Sequence, residues 1–231
     1  MVARRTLSPF WLFLLIGLFV LVSNKVLVMT HGWARLGIGL LVYGLLAGLI
    51  VLAGLSLREL GLARANMRKG MILGLRVAAI IIMGLLIVFL VSPDIFQDDR
   101  YHQGIWMAAW MALIIIPLQT VLFEELLFRG LLWGFINKNY GPKWATHGSS
   151  AVFGLWHIAP SLGMNAAALS VAGLSVGRTV LVAFIVVVTY AAGVFLCELR
   201  RRSGSLLAPM LVHWSINGTA TVLAALAWQA S

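Results

Sequence analysis

The sequence predicts an all-α, polytopic integral membrane protein of about seven transmembrane helices, within a range of six to eight, built around a buried Glu/His/Asn site. Three observations lead there. Of the 231 residues 61% are apolar and only 10% charged, and the mean hydropathy is +0.99, more apolar surface than a soluble core of this length buries. The apolar residues come in runs of roughly twenty, the length that crosses a hydrocarbon core of about 30 Å as a helix. The charges sit in short clusters, most of them between those runs.

Taken in order, residues 10–22 follow Arg4 and Arg5 and resemble a signal-peptide core. No small-x-small cleavage site follows, and apolar character resumes after Lys25, so an uncleaved first span is expected. Residues 36–57 make the second span. The basic linker from Arg58 to Lys69 could then lie on lipid headgroups as a short interfacial helix. Residues 71–91 make the third span, and the loop 92–104, with Asp94, Asp98 and Asp99, is the acidic one. The fourth, 105–132, contains Pro117, expected to kink it one to two turns before Glu124. A turn is expected over 137–144. The fifth span opens near Ala145 with several polar residues and runs to Pro160. Residues 161–177, rich in small side chains, read as re-entrant or partly unwound. The sixth span, 179–196, stops at Arg200, Arg201 and Arg202, and the last covers 205–228.

Seventeen basic against seven acidic residues give a net charge of +10, which in a soluble chain would suggest nucleic acid. Here the basic clusters lack aromatic interleaving and flank apolar runs, so the expected neighbour is the lipid bilayer and not nucleic acid. With the N-terminus cytoplasmic, the inner segments collect the clusters at Arg4, Arg58–Arg76, Lys138–Lys143 and Arg200–Arg202. The outer segments collect Lys25, Arg35, Arg100 and Arg178. That bias supports the orientation and a bacterial inner (plasma) membrane. Cys197 is the single cysteine, which excludes an intramolecular disulfide and a paired-cysteine metal site. By motif content residues 1–104 are accessory N-terminal helices, 105–220 the catalytic core, and 221–231 the end of the last helix.

The chemistry concentrates in VLFEELLFRG, residues 121–130. Ionised groups inside a span cost roughly 2.5 to 3.5 kcal/mol each on insertion scales. Glu125 and Arg129 are four residues apart, acid first, so on an α-helix they share a face and can neutralise each other. Glu124 points about 100° away and needs another partner, sought among the histidines. Phe153 and His157 share a face of the fifth span, with the ring packing beneath the imidazole, and His213 and Asn217 share a face of the last. Such a set supports hydrolysis. A buried carboxylate takes a proton from water, a histidine holds that water or returns the proton to the leaving amine, and imidazole and carboxamide donate to an oxyanion. Glu124, His157 and His213 also make a Glu-plus-two-His set that could hold zinc, though no H-E-x-x-H helix is present. Each polar residue taken singly has a packing explanation. Jointly they do not, and the two rival readings are a non-catalytic protein that binds a peptide or serves immunity or scaffolding, and a proton pathway.

The ordered set of Glu124, Glu125 and Arg129 (E-E-x-x-x-R), Phe153 and His157 (F-x-x-x-H), and His213 and Asn217 (H-x-x-x-N), the last preceded by SGSLLAP, resembles the CAAX-protease and bacteriocin-processing (CPBP, Abi) family of intramembrane proteases. The resemblance covers about residues 105–220. It implies an all-α core and endopeptidase activity on a peptide or membrane-protein substrate near a membrane face. In its terms Glu124 and His157 activate water, His213 and Asn217 hold the oxyanion, and Glu125 and Arg129 orient the site, with glutamate or metal dependence open. Eukaryotic members trim prenylated proteins, a poor guide to the substrate here.

Overall fold

The computed structural model describes residues 8–30, 32–97, 102, 104–162, 170–171, 174–175 and 177–230. Helices dominate. Among the described residues the only extended pairing is a two-residue antiparallel contact, Ser170–Val171 with Leu174–Ser175. Most of the segment expected to be re-entrant lies outside the described residues.

Five helices are long and apolar enough to cross a membrane: Pro9–Met29, Arg64–Val91, Ile105–Tyr140, Arg178–Ser203 and Leu207–Gln229. A shorter apolar stretch, Gly37–Leu52, completes the helix Gly32–Leu52. The polar helix Pro142–Trp156 has 15 residues, roughly 22 Å at 1.5 Å per residue, too short for a full crossing. Large apolar side chains are turned outward along the spans, Leu90 at 79% and Val91 at 77% exposure among them, the surface of a chain whose solvent is lipid. The protein is an all-α polytopic membrane protein.

Several boundaries differ from the sequence reading. The residues from Arg64 to Lys69 are the first turns of the spanning helix Arg64–Val91, because Gly70, the one weak helix former before Met71, is held inside the helix by packing against Ser205. The fourth helix runs on to Tyr140 and ends at Gly141, whose φ of +88° belongs to glycine. Pro142 then opens the next helix at a position where its missing N–H costs nothing. The arginines 200–202 lie inside the last turn of their helix, which stops at Ser203 with Gly204 at φ +69°.

Packing divides the chain into two compact units, both interleaved in sequence: 1–60 with 127–198, and 61–126 with 199–231. In the first, Asn24 Nδ2 donates to the Trp156 carbonyl at 2.7 Å, and Ser149 Oγ donates to the Phe128 carbonyl at 2.7 Å. A Cβ on Gly154 would come within 2.9 Å of the Val186 carbonyl, and one on Gly193 within 3.0 Å of Ser150 Cβ, so two helices meet through small residues, the usual route to close packing between spans. The loop 53–63 is closed by a reciprocal cap. Ser56 donates its N–H and Oγ–H to Glu59 Oε2 at 2.8 and 2.7 Å, and Glu59 returns its N–H to Ser56 Oγ at 3.2 Å.

In the second unit the helix Arg64–Val91 packs along the last helix through Gly70, Gly74 and Ala78, three buried small residues one turn apart. A Cβ on Gly74 would lie 3.0 Å from Ala208 Cα and 3.1 Å from its carbonyl oxygen, so the two backbones touch there. Leu206 N–H donates to the Gly61 carbonyl at 2.8 Å, and Asn66 Nδ2 to the Gly204 carbonyl at 3.2 Å, tying the start of the last helix to the same partner. Residues 61–78 therefore form the bed on which the start of the last helix lies.

Candidate active site

The long helix is not α-helical throughout. Met111–Val121 and Glu125–Leu132 are π-helical, and the single α turn Leu122–Glu124 separates them. Pro117 accounts for the first run. A proline inside an α-helix clashes with the carbonyl four residues back and donates nothing to it, and widening to i→i+5 relieves the clash; Leu122 N–H accordingly donates to the Pro117 carbonyl. The expected local kink is thus an extended change of register. Such turns are frequent at functional sites.

In that register the carbonyl facing the missing Pro117 N–H is that of Ala112. It accepts the indole N–H of Trp214 at 2.7 Å. Gly218 leaves room for this contact, since a Cβ there would lie 3.2 Å from Trp214 Nε1. His213 and Asn217 lie on one face of the last helix, and Trp214 and Gly218 occupy the neighbouring face that fastens it. The sequence reading missed this second pair, although its i, i+4 spacing was visible.

Glu124, Glu125 and His213 come together in this unit, all buried. His213 Nδ1 lies 2.8 Å from Glu125 Oε1, and His213 Nε2 lies 3.9 Å from Glu124 Oε2. The sequence reading sought a histidine for Glu124. The structure gives the short hydrogen bond to Glu125, and the ring's second nitrogen is directed at Glu124. One imidazole can address two consecutive acids because its nitrogens diverge. Asn217, half-buried, follows one turn after His213.

Arg129, Phe153 and His157 belong to the first unit. The Arg129 guanidinium, fully buried, stacks over the Phe153 ring with 4.0 Å to the centroid. The same ring meets His157 edge-on at 4.6 Å and Phe128 edge-on at 5.1 Å. Buried cation–π contacts of this kind contribute up to about 2 kcal/mol. His157 closes the helix Pro142–Trp156 as its C-cap. Its Nδ1 is 2.8 Å from the Phe153 carbonyl, and since a carbonyl only accepts, Nδ1 carries a proton and donates it. Phe153 therefore fixes the height and the angle of His157 and keeps a proton on its Nδ1.

Among the described residues of the second unit, no three His, Cys, Asp or Glu side chains are grouped so as to hold a metal ion. Glu124, Glu125 and His213 adjoin, but the Nδ1 of His213 is engaged by Glu125, leaving one ring nitrogen. That leaves His213 Nε2 and the Glu124 carboxylate as the atoms that could face a metal, with Glu125 as the partner that orients the imidazole.

Residues 105–219 match the model of one protein family, described as type II CAAX prenyl endopeptidase Rce1-like. The chain belongs, through this segment, to that family. No curated protein and no solved structure matches it. The Rce1-like range contains both acids of the long helix, Arg129, Phe153, His157, His213 and Asn217, and it ends one residue past Gly218. A CAAX-protease-like peptidase embedded in a membrane is what the family and the spanning helices together establish.

Proposed function

We propose that the protein is an intramembrane endopeptidase that hydrolyses a peptide bond near the membrane face with a water activated by Glu124. The observation that carries this reading is the fixed direction of His213: Glu125 holds Nδ1 at 2.8 Å and Nε2 is turned to Glu124 at 3.9 Å. That gap is beyond direct hydrogen-bond reach, so the two groups face each other without bonding to each other, as two groups that share a water or a substrate oxygen in the reaction would.

In the proposed reaction the Glu124 carboxylate takes a proton from water as the water's oxygen adds to the scissile carbonyl carbon, and the F-x-x-x-H motif, by its resemblance to the family, gives His157 a part in activating water. The carbonyl oxygen becomes an oxyanion. His213, as an imidazolium paired with the Glu125 carboxylate, donates Nε2–H to it, and Asn217 donates from its carboxamide one turn along. The proton on Glu124 then passes to the leaving nitrogen as the C–N bond breaks. Phe153 and Arg129 position His157, and Glu125 positions His213. The proposed substrate is a peptide or membrane protein, and the proposed location is a bacterial inner membrane with the N-terminus cytoplasmic, on the strength of the basic-residue bias.

The test uses the full chain in liposomes with a pool of quenched-fluorescent peptides, wild type beside Glu124→Gln, with metal content measured on the same samples. Cleavage by the wild type and none by a folded Glu124→Gln variant is expected. Cleavage that persists in that variant sinks Glu124 as the base. Stoichiometric metal that disappears on His213→Ala and His157→Ala substitution replaces the carboxylate mechanism with a metal-dependent one.

A further inference from the structure

The spanning helix Arg64–Val91 begins with a stripe of cations that the hydrolytic site does not use. Arg68, Lys69 and Arg76 are spaced by one, seven and eight residues, which places them along one side of the helix with Ile72 and Leu73 between them. Together with Arg202, near the end of the helix Arg178–Ser203, they line an open groove of about 570 Å³, within the roughly 300–1,000 Å³ of small-molecule clefts. All four cations are exposed, and no carboxylate is among the lining residues.

Several features define the occupant. Four cations sharing one groove repel one another, so an anion bound there is attracted by all of them. The cations stand at two levels of the helix: the Arg68 and Arg76 backbones are separated by roughly 12 Å along its axis, and their long side chains can bring the two charges closer than that. A soluble phosphate would meet the outer cations and leave Ile72 and Leu73 exposed. A lipid with two phosphates meets both levels and lays an acyl chain along that apolar floor. Basic pockets between transmembrane helices recognise such headgroups.

We propose that this groove is a binding site for an anionic phospholipid carrying two phosphates, held by Arg68, Lys69, Arg76 and Arg202, with an acyl chain on Ile72 and Leu73. The site lies on the helix that beds the last helix through Gly70 and Gly74, on the adjacent side of the same turns.

The experiment is native mass spectrometry of the full chain in detergent, titrated separately with cardiolipin, phosphatidylcholine and inorganic phosphate. Cardiolipin adducts should predominate. They should weaken about a hundredfold when Arg68, Lys69, Arg76 and Arg202 are all changed to glutamine, and about fivefold for Arg76→Gln or Arg202→Gln alone. A comparison protein loses four other exposed cations through Lys25→Gln, Arg58→Gln, Lys143→Gln and Arg178→Gln and should bind like the wild type. Equal weakening in the two quadruple variants would reduce the effect to net charge and overturn the site. Phosphatidylcholine binding as well as cardiolipin would do the same, and displacement by equimolar inorganic phosphate would make the ligand a soluble anion.

Discussion

Trp214 donates its indole N–H to the Ala112 carbonyl at 2.7 Å, and that carbonyl is the one Pro117 leaves without a donor in the π register. A proline that disrupts one helix thus creates the acceptor that fastens another, one residue from His213. Left unmet, a buried carbonyl costs about 1–3 kcal/mol. Trp214→Phe should therefore destabilise the protein by that amount in thermal unfolding. In a Pro117→Ala background residue 117 regains an N–H, so the same change should cost measurably less. A double-mutant cycle with coupling above about 0.5 kcal/mol is expected, and strict additivity would remove the link.

The two adjacent glutamates should separate by substitution. Glu124→Gln removes the proposed base and should lower kcat by about 10²–10⁴ with little change in stability. Glu125→Gln keeps an acceptor oxygen for His213 Nδ1–H, so it should fold; Glu125→Ala removes the partner of a buried imidazole and should cost about 1–3 kcal/mol. Peptide cleavage and thermal unfolding measured on the same preparations distinguish the roles. If stability falls more with Glu124→Gln than with Glu125→Ala, the assignment is reversed.

Two glycines of one helix make a matched comparison. A Cβ on Gly74 meets Ala208 backbone atoms at 3.0 and 3.1 Å, whereas one on Gly84 meets nothing within 4 Å. Gly74→Ala should therefore cost about 1–3 kcal/mol through overpacking and lower activity by shifting the helix that carries His213. Gly84→Ala should be neutral or stabilising by up to about 1 kcal/mol. Similar unfolding temperatures for the two variants would show that the Gly70–Gly74–Ala78 seam does not set the position of the last helix.

The fold class was legible because lipid demands long apolar helices and charges inside them stand out, as at Glu124, Glu125 and Arg129. The i, i+4 spacings also carried real geometry: Phe153 does pack against His157. Register was not legible, since an apolar run such as 111–121 reads alike with i→i+4 or i→i+5 bonds, and Pro117 predicts disturbance without naming its form. Partners across helices were hidden for a similar reason. Gly70, Gly74 and Ala78 announce a close approach but not that Ser205 and Ala208 make it. Nor could spacing tell which glutamate His213 would take, because that depends on how the helix turns between residues 124 and 125.

A last expectation concerns acid. Glu59 accepts both donors of Ser56 and lies 3.7 Å from Lys138 Nζ. The Ser56 backbone N–H, then its hydroxyl, hold the Glu59 carboxyl below its ordinary value of 4.5, with Lys138 adding to the same direction. A carboxyl lowered on folding stabilises the fold fully above its unfolded pKa, and that contribution disappears as pH falls through the folded value. The wild type should therefore unfold at a higher temperature than Glu59→Gln by a constant margin above about pH 4.5, and the margin should close at lower pH. Because the pair is open to water the margin should stay within about 0.5 kcal/mol. Thermal unfolding of both proteins across that range measures it, and a margin that widens as pH falls would mean that the cap does not depend on the ionised carboxylate.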